Sequence, residues 1–482
     1  MSAHGMNPEQ LRQLASAIAR EMGGGAATSS PSAPRPVTGT AGHGVFNTVD
    51  EAVRAARGAF VAMDGISLDA RSRIIDAIRV TMRAQADPLA RFAWEETGLG
   101  RYEDKIAKNL LVTNMTPGPE VLVPYAKSGD RGLTLEEPAP FGVIGAITPT
   151  TNPTSTIICN AIGMISAGNT VVFNVHPNAK EVSKETVRIL NRVIVGAGGP
   201  PNCITCVAEP TIESAGQLMK HPLVRLLVVT GGGGVVKAAM NSGKRAICAG
   251  PGNPPSVVDE TANIDAAGRD IVAGHSFDNN VICVDEKEVI AVDAIADSLK
   301  ASMVSHGAVE LPRSDLQRLE RVIFKEMAGP RGHAKINRDL IGKNASVILG
   351  ELGISAGPEV KTVLIEVPND HPLVWTEQMM PVLPITRVAN VDAAIELAIQ
   401  AEGGCFHTAS MHSTNIAALS KMARMCNCSI FIKNGPHYAG LSQGGEGYTS
   451  FTIASPTGEG LTGPREFSRW RRCTLVDHFR IV

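Results

Sequence analysis

Neither sign of charge dominates this 482-residue chain: 45 lysines and arginines stand against 47 acidic residues, a net charge of −2. That balance leaves no electrostatic footprint for nucleic acid or for an anionic membrane surface. The one locally basic stretch, Arg465–Arg472, is short and broken by Glu466, Phe467 and Trp470, so it reads as a solvated or subunit-facing strand edge. No segment has the pattern of a secretory leader or a spanning helix. Charge disappears between Ala139 and Ala179, but Pro149, Asn152, Pro153, Asn160, Gly163, Gly168 and Asn169 punctuate that run. It is expected to be buried strand, loop, buried helix and strand. Neither Cys203-Ile-Thr-Cys206 nor Cys426-Asn-Cys428 has a partner pair at zinc-ribbon spacing, so no metal site is expected. Nine cysteines without a leader fit a reducing cytosol.

What is present is enough for two or three domains. Asn7 can cap a helix, Pro8 suits its first position, and Leu11, Leu14, Ala15, Ile18 and Met22 recur at three- and four-residue steps. The spacing predicts an amphipathic helix over 1–22. The Gly-, Ser- and Pro-rich segment that follows, over 23–44, is a tether that cannot bury enough to fold. From Thr48 to Ala84 the period is helical. Gly142–Ile147 and Thr170–Asn174 read as buried strands flanking a helix over Thr156–Ser166; Leu226–Thr230 is a further strand, and Val235–Met240 opens a helix after four glycines. Strands alternating with helices argue for α/β domains with largely parallel sheets. A second α/β block is expected from near Ser256 to about Ile430, with a strand-like tail at Cys473–Val482.

Two local patterns carry chemistry. Leu226–Thr230 runs into Gly231-Gly232-Gly233-Gly234 and then a helix, which leaves backbone N–H groups and a positive helix end free for an anion. Val236 stands where the third glycine of Gly-x-Gly-x-x-Gly belongs, and Gly243-Lys244-Arg245 is no Walker loop. Cys283 lies just after the turn-forming Asp278-Asn279-Asn280 and before the strand-like Lys287–Val292, where a scaffold can present a nucleophile to a cleft.

Around that cysteine, Ser276–Lys287 together with Thr148-Pro149-Thr150-Thr151-Asn152-Pro153, Val229–Gly232, Ala249–Pro255 and Thr376–Val382 resembles the aldehyde dehydrogenase superfamily. Within it the chain is most similar to the CoA-acylating aldehyde dehydrogenases of bacterial microcompartments, which handle acetaldehyde or propionaldehyde. The resemblance implies two parallel-sheet α/β domains. One is NAD/CoA-binding over 45–255, and the other carries the catalytic thiol over 256–430. Residues 431–482 return to the cofactor domain, and a small β oligomerisation element includes a hairpin at 121–137. It implies Cys283 as nucleophile and Asn152 as oxyanion donor, helped by the Cys283 backbone N–H. It also implies NAD bound by Thr148, Pro149, Thr230, Gly231 and Gly232, with the adenosine near His176 and Pro177 and the nicotinamide ribose on Glu377. The family's ribose-binding Lys-Pro-Ser-Glu-like run is replaced here by Val175-His176-Pro177-Asn178, which implies a looser nucleotide grip and leaves NAD against NADP open.

One family feature is missing. Hydrolytic members carry a glutamate before Gly-Gly-Lys-x-Pro that activates water, whereas this chain reads Ile247-Cys248-Ala249-Gly250-Pro251. The acyl-enzyme must then wait for a thiol such as CoA. His407 could help deprotonate that thiol or simply satisfy a loop hydrogen bond, and a structural role is the expectation. The N-terminal helix resembles the peptides that guide enzymes into microcompartments, which implies a shell-protein partner and a microcompartment location within the cytoplasm. A homodimer or homotetramer is expected. Two alternatives are a hydrolytic dehydrogenase or acyl-phosphate reductase, and a non-catalytic protein that uses its N-terminal helix to organise a shell.

Overall fold

Residues 43–481 are described by the structure, a computed structural model. The expected helix over 1–22 and nearly all of the tether lie outside them. Apolar runs between glycine- and proline-marked turns make two parallel sheets. In the first, six strands lie in the order Val45–Phe46, Ile204–Val207, Thr170–Asn174, Val143–Ile147, Val224–Thr230 and Ala246–Ala249. Every neighbouring pair is parallel. The second has seven parallel strands: Ala308–Leu311, Thr362–Glu366, Val382–Val388, Glu288–Val292, Pro255–Val258, Thr408–His412 and Ile430–Lys433. A third, antiparallel sheet joins Tyr125–Gly129, Gly132–Pro140 and Ser468–Val476.

The charge-free stretch forms a buried core. Val143–Ile147 and Thr170–Asn174 are fully buried central strands, and Pro153–Ser166 between them is a helix with every residue buried. Ile157, Ile158, Ile162 and Ile165 are each 0% exposed, and such burial is worth about 1.5–3 kcal/mol per side chain. This helix packs against the helices Leu68–Thr97, Tyr102–Met115 and Lys180–Gly196. Among the described residues no helix is long and apolar enough to cross a membrane.

Several boundaries differ from the sequence expectation: the helices expected from Thr156 and Val235 start at Pro153 and Gly233, and three further differences have a physical reason. The helical period from Thr48 splits into Val49–Met63 and Leu68–Thr97, because Gly65 breaks it and the Ser67 side chain accepts from the Ala70 N–H to cap a new start. That second helix runs past Pro88, whose ring sits on the exposed face where water can satisfy the freed carbonyl. The C-terminal strand is Ser468–Val476 rather than Cys473–Val482. Its partner Gly132–Pro140 fixes the register, and Asp477 at φ 62° turns the chain out of the sheet.

Strand Ala246–Ala249 of the first sheet leads through Gly250–Pro254 directly into strand Pro255–Val258 of the second. The C-terminal edge of one parallel sheet therefore feeds the N-terminal edge of the other. Loops leaving the first sheet carry Thr148–Asn152, His176–Pro177 and Gly231–Gly234; loops entering the second carry Gly252, Cys283, Glu377 and His407. Parallel sheets bind ligands at the carboxyl ends of their strands.

Candidate active site

The helix Ile264–Ser276 ends in a turn in which Asp278, Asn279 and Asn280 all have left-handed backbone, φ 48°, 55° and 66°. Asn and Asp tolerate this region better than other side chains, at about 1–3 kcal/mol per residue. A dense set of bonds holds the turn in place. The Arg101 N–H donates to Asp278 Oδ1 at 2.6 Å, Lys105 Nζ to Asp278 Oδ2 at 3.0 Å, and the Asp278 N–H to Asp104 Oδ2 at 2.8 Å. Lys108 Nζ also donates to Asp278 Oδ2. Arg101 Nε reaches Asn279 Oδ1 at 2.8 Å, while Asn279 Nδ2 donates to Gly342 O and Asn344 Oδ1. Asn280 Nδ2 donates to the carbonyls of His275 and Glu286 at 2.9 and 3.0 Å.

From the strand side, Lys287, 0% exposed, sends its ammonium back to Asn280 O, Asn280 Oδ1 and Ile282 O at 3.1, 2.5 and 3.2 Å. The Ile282 N–H donates to Asp285 Oδ2 and the Asp285 N–H to Ile282 O, each at 3.2 Å. Cys283 rides on this closed turn with its side chain partly exposed. Burial, then the nearby Glu377 carboxylate, push its thiol up to about 12, with Lys287 acting the other way. The group rests as a thiol. Burial also raises Glu377, which stays half-buried and accepts a hydrogen bond from the Gly252 N–H. One such bond leaves the carboxylate acceptor capacity for ribose hydroxyls.

Gly252 is the pivot of this wall. A Cβ there would lie 3.0 Å from the Cys283 carbonyl oxygen and 3.0 Å from His407 Cγ. The bare backbone lets the nucleophile turn and the histidine close on the same strand entry. Gly252→Ala makes the Cys283 carbonyl or the His407 ring give by a few tenths of an ångström, so a folded protein with kcat/KM lowered by up to about tenfold is expected, less than the roughly hundredfold that a 1 Å misplacement can cost. Steady-state kinetics beside a melting curve check it, and unchanged kcat/KM would contradict the close approach.

His407 itself is fully buried. Its Nδ1 meets Thr408 Oγ1 at 2.8 Å, its backbone N–H donates to Glu402 Oε1 at 2.8 Å, and Nε2 has no partner. Burial, with Lys287 second, lowers its basicity to about 4, so the ring is neutral at physiological pH.

Across the cleft, Asn152 stands at the N-cap position of the helix Pro153–Ser166 without a side-chain capping bond, and is 9% exposed. Its Oδ1 accepts from Lys108 Nζ at 2.6 Å, and its Nδ2 donates one hydrogen to Thr151 Oγ1 at 3.1 Å. The other hydrogen of that amide is free to serve an oxyanion. Thr148 is buried with its hydroxyl unpartnered, and Pro149 follows it, partly exposed. His176 Nδ1 accepts the Asn178 N–H at 3.2 Å, fixing the exposed Pro177 turn at the end of strand Thr170–Asn174. Thr230 Oγ1 pairs with Thr452 Oγ1 at 2.9 Å, and Gly232 caps the helix Gly233–Met240. A Cβ on Gly232, Gly233 or Gly234 would meet nothing within 4 Å. The loop is an open cradle of backbone N–H groups at a helix start, which fits a dinucleotide's pyrophosphate. Among the described residues no group of three or more His, Cys, Asp or Glu side chains is placed to hold a metal.

Sequence reasoning gave Lys105 and Lys108 no role, and placed Asp278 and Lys287 only as members of a turn and a strand. Cys203 and Cys206 are both 0% exposed, with thiols pushed up by burial to about 12, and are core residues.

Two carboxyl-edge loops opposite a presented thiol define an oxidoreductase site of the aldehyde dehydrogenase kind, and the sequence comparison agrees. Residues 25–456 match the aldehyde dehydrogenase family, to which the chain belongs. An acetylating acetaldehyde dehydrogenase of Salmonella typhimurium is 47% identical over 478 residues, spanning 99% of this chain and 100% of that protein. The crystal structure of Rhodopseudomonas palustris propionaldehyde dehydrogenase, with bound CoA and an acylated cysteine, is 49% identical with a TM-score of 0.87 and covers 90% of this chain and 99% of that one. A propionaldehyde dehydrogenase from the fucose utilisation microcompartment of Clostridium phytofermentans is 45% identical, TM-score 0.88, over 92% and 100%.

Proposed function

We propose that Cys283 is the nucleophile of a CoA-acylating aldehyde dehydrogenase and Asn152 its oxyanion donor. The enzyme converts a short-chain aldehyde, acetaldehyde or propionaldehyde, with NAD and CoA into acyl-CoA and NADH. The observation that carries the residue assignment is the overdetermined turn holding a partly exposed Cys283 where the two sheets meet.

In the first half-reaction the Cys283 sulfur attacks the carbonyl carbon and its proton leaves. The Asn152 amide and the Cys283 backbone N–H stabilise the oxyanion, a contribution of roughly 3–4 kcal/mol per donor. NAD would be held by the Gly231–Gly234 cradle with Thr148, Pro149, Thr230, His176 and Pro177 around it and Glu377 on the nicotinamide ribose, and would supply the acceptor for the hydride that the substrate carbon loses as its C–H bond breaks. Collapse of the oxyanion leaves a thioester on Cys283. In the second half the CoA thiol gives its proton to solvent, its sulfur attacks that carbonyl and Cys283 departs; His407, fully buried and with its basicity lowered to about 4, is too weak a base for that transfer and keeps a structural role. The chain offers no carboxylate at 247–249 to activate water, which favours CoA over hydrolysis.

Residues 1–22 are the segment that takes the enzyme to a microcompartment shell, on the apolar stripe Leu11, Leu14, Ile18 and Met22. The antiparallel sheet that ends in Ser468–Val476 is the oligomerisation element of a homodimer or homotetramer. The exposed Trp470, Leu475 and Val476 on its outer strand support that reading. Incubation with each aldehyde, NAD and CoA should yield the matching acyl-CoA by liquid chromatography, and free acid as the main product would overturn the assignment. Fusing residues 1–25 to a fluorescent protein should direct it into shells, with Leu14 and Ile18 changed to aspartate abolishing capture. A truncated enzyme that still co-purifies with shells would contradict the targeting role.

A further inference from the structure

We propose that Lys108 is a positioning residue for the oxyanion donor, fixing the orientation of the Asn152 amide and tying it to the nucleophile turn. Lys108 lies on the helix Tyr102–Met115, is 1% exposed, and its ammonium bridges two groups that belong to opposite walls of the cleft. One is Asn152 Oδ1, at 2.6 Å, after the first sheet's strand Val143–Ile147. The other is Asp278 Oδ2, at the start of the left-handed turn that carries Cys283.

The Asp278 carboxylate does not need this second cation. Its Oδ1 already accepts the Arg101 N–H and its Oδ2 already accepts Lys105 Nζ. Two ammoniums share this buried cluster with the carboxyl groups of Asp278 and Asp104, an expensive arrangement to desolvate. Burial pulls Lys105 down to about 8, with Lys108 opposing its charge as well. The bond that Lys108 alone supplies is the one to Asn152.

That bond has two chemical consequences. A cation at Oδ1 excludes the flipped amide, because Nδ2 cannot face an ammonium, so both Nδ2 hydrogens are directed away from Lys108: one to Thr151 Oγ1, one to the cleft. A charge-assisted bond to the amide oxygen also polarises the amide and strengthens the remaining N–H as a donor to developing negative charge. The bridge further holds the donor and the thiol, which belong to different sheets, in one register.

This inference rests on the reading of Asn152 as the oxyanion donor, and the test separates the two. Stopped-flow NADH formation in the first turnover reads a step with an oxyanion. Alkylation of Cys283 by iodoacetamide, followed on the Cys283 peptide by mass spectrometry, reads the same sulfur without one. Lys108→Met should slow the first turnover tenfold to a hundredfold, leave alkylation within about threefold, and add nothing to Asn152→Ala in the double variant. Lys108→Gln keeps an N–H for Oδ1 and should lose less than Lys108→Met; it carries the same test if the methionine variant fails to fold. An unchanged first turnover, an equal fall in alkylation, or a full additive loss on top of Asn152→Ala overturns the role of Lys108. If Asn152→Ala itself leaves the first turnover intact, the oxyanion reading fails, whatever Lys108 does.

Discussion

Cys283→Ala is expected to be a folded protein that forms no NADH from acetaldehyde or propionaldehyde. The turn that presents the sulfur is held by the side chains of Asp278, Asn279, Asn280, Asp285 and Lys287, none of which bonds to Sγ. Loss of one partly exposed sulfur should therefore change stability by no more than about 1 kcal/mol. The chemistry, in contrast, loses the group that makes the covalent bond. Cys283→Ser should be equally inactive, because a serine hydroxyl there has no base to activate it. Cys248 is no substitute, being 0% exposed with its thiol pushed up to about 11 by burial. Cys405 is the cysteine to suspect if activity persists. It is partly exposed and lies close enough to Glu377 and Glu402 for both to raise its thiol to about 11, after burial itself. More than a few per cent of wild-type turnover in either variant would move the nucleophile there.

Without CoA or another thiol, NADH formation should stop near one equivalent per active site. Hydrolysis of the thioester needs a base for water, and general-base catalysis is worth about a hundredfold or more. The strand Ala246–Ala249 has no carboxylate of its own, and Cys248 and Ala249 are buried at 0% and 2% exposure, so the strand itself offers water no base. Asp285 is 0% exposed and accepts the Ile282 N–H through Oδ2. Glu377 lies near the sulfur and accepts the Gly252 N–H, and it is proposed above to hold the nicotinamide ribose. Adding CoA after the first equivalent should restart turnover at the full rate. Sustained release of free acid by the wild type, with no thiol present, would give Glu377 the work of a hydrolytic base and contradict the acylating reading.

Much of this architecture was legible because it follows local rules. Short apolar runs between Gly, Pro and Asn turns gave the parallel strands, and a glycine run after a strand gave the open helix start at Gly232. Asp-Asn-Asn marked a turn that needs three left-handed residues in succession. What stayed hidden depends on contacts between segments far apart in the chain. Lys108 meets Asn152 at a separation of 44 residues and Asp278 at 170. Its helix, read alone, looks like a charged surface helix, yet Lys105, Lys108 and Asn109 are all buried. Charged side chains are almost never fully buried unless paired, and the pairing partner is invisible in the local sequence. Lys287 was hidden for the same reason: next to an apolar strand it resembles a solvated end, whereas it is 0% exposed and bonded to two carbonyls of the nucleophile turn. Gly252 could not be singled out among 48 glycines until the Cys283 carbonyl and the His407 ring were seen on either side of it.

The central claim is an acyl thioester on Cys283 that CoA removes, and mass spectrometry of the enzyme caught between its two half-reactions tests it most directly. After propionaldehyde and NAD are added without CoA, the peptide containing Cys283 should carry one propionyl group. Brief treatment with CoA should return that peptide to its original mass and release propionyl-CoA in equal amount. An unmodified Cys283 after NADH has formed, an acyl group on another cysteine, or an adduct that CoA leaves in place would contradict the account.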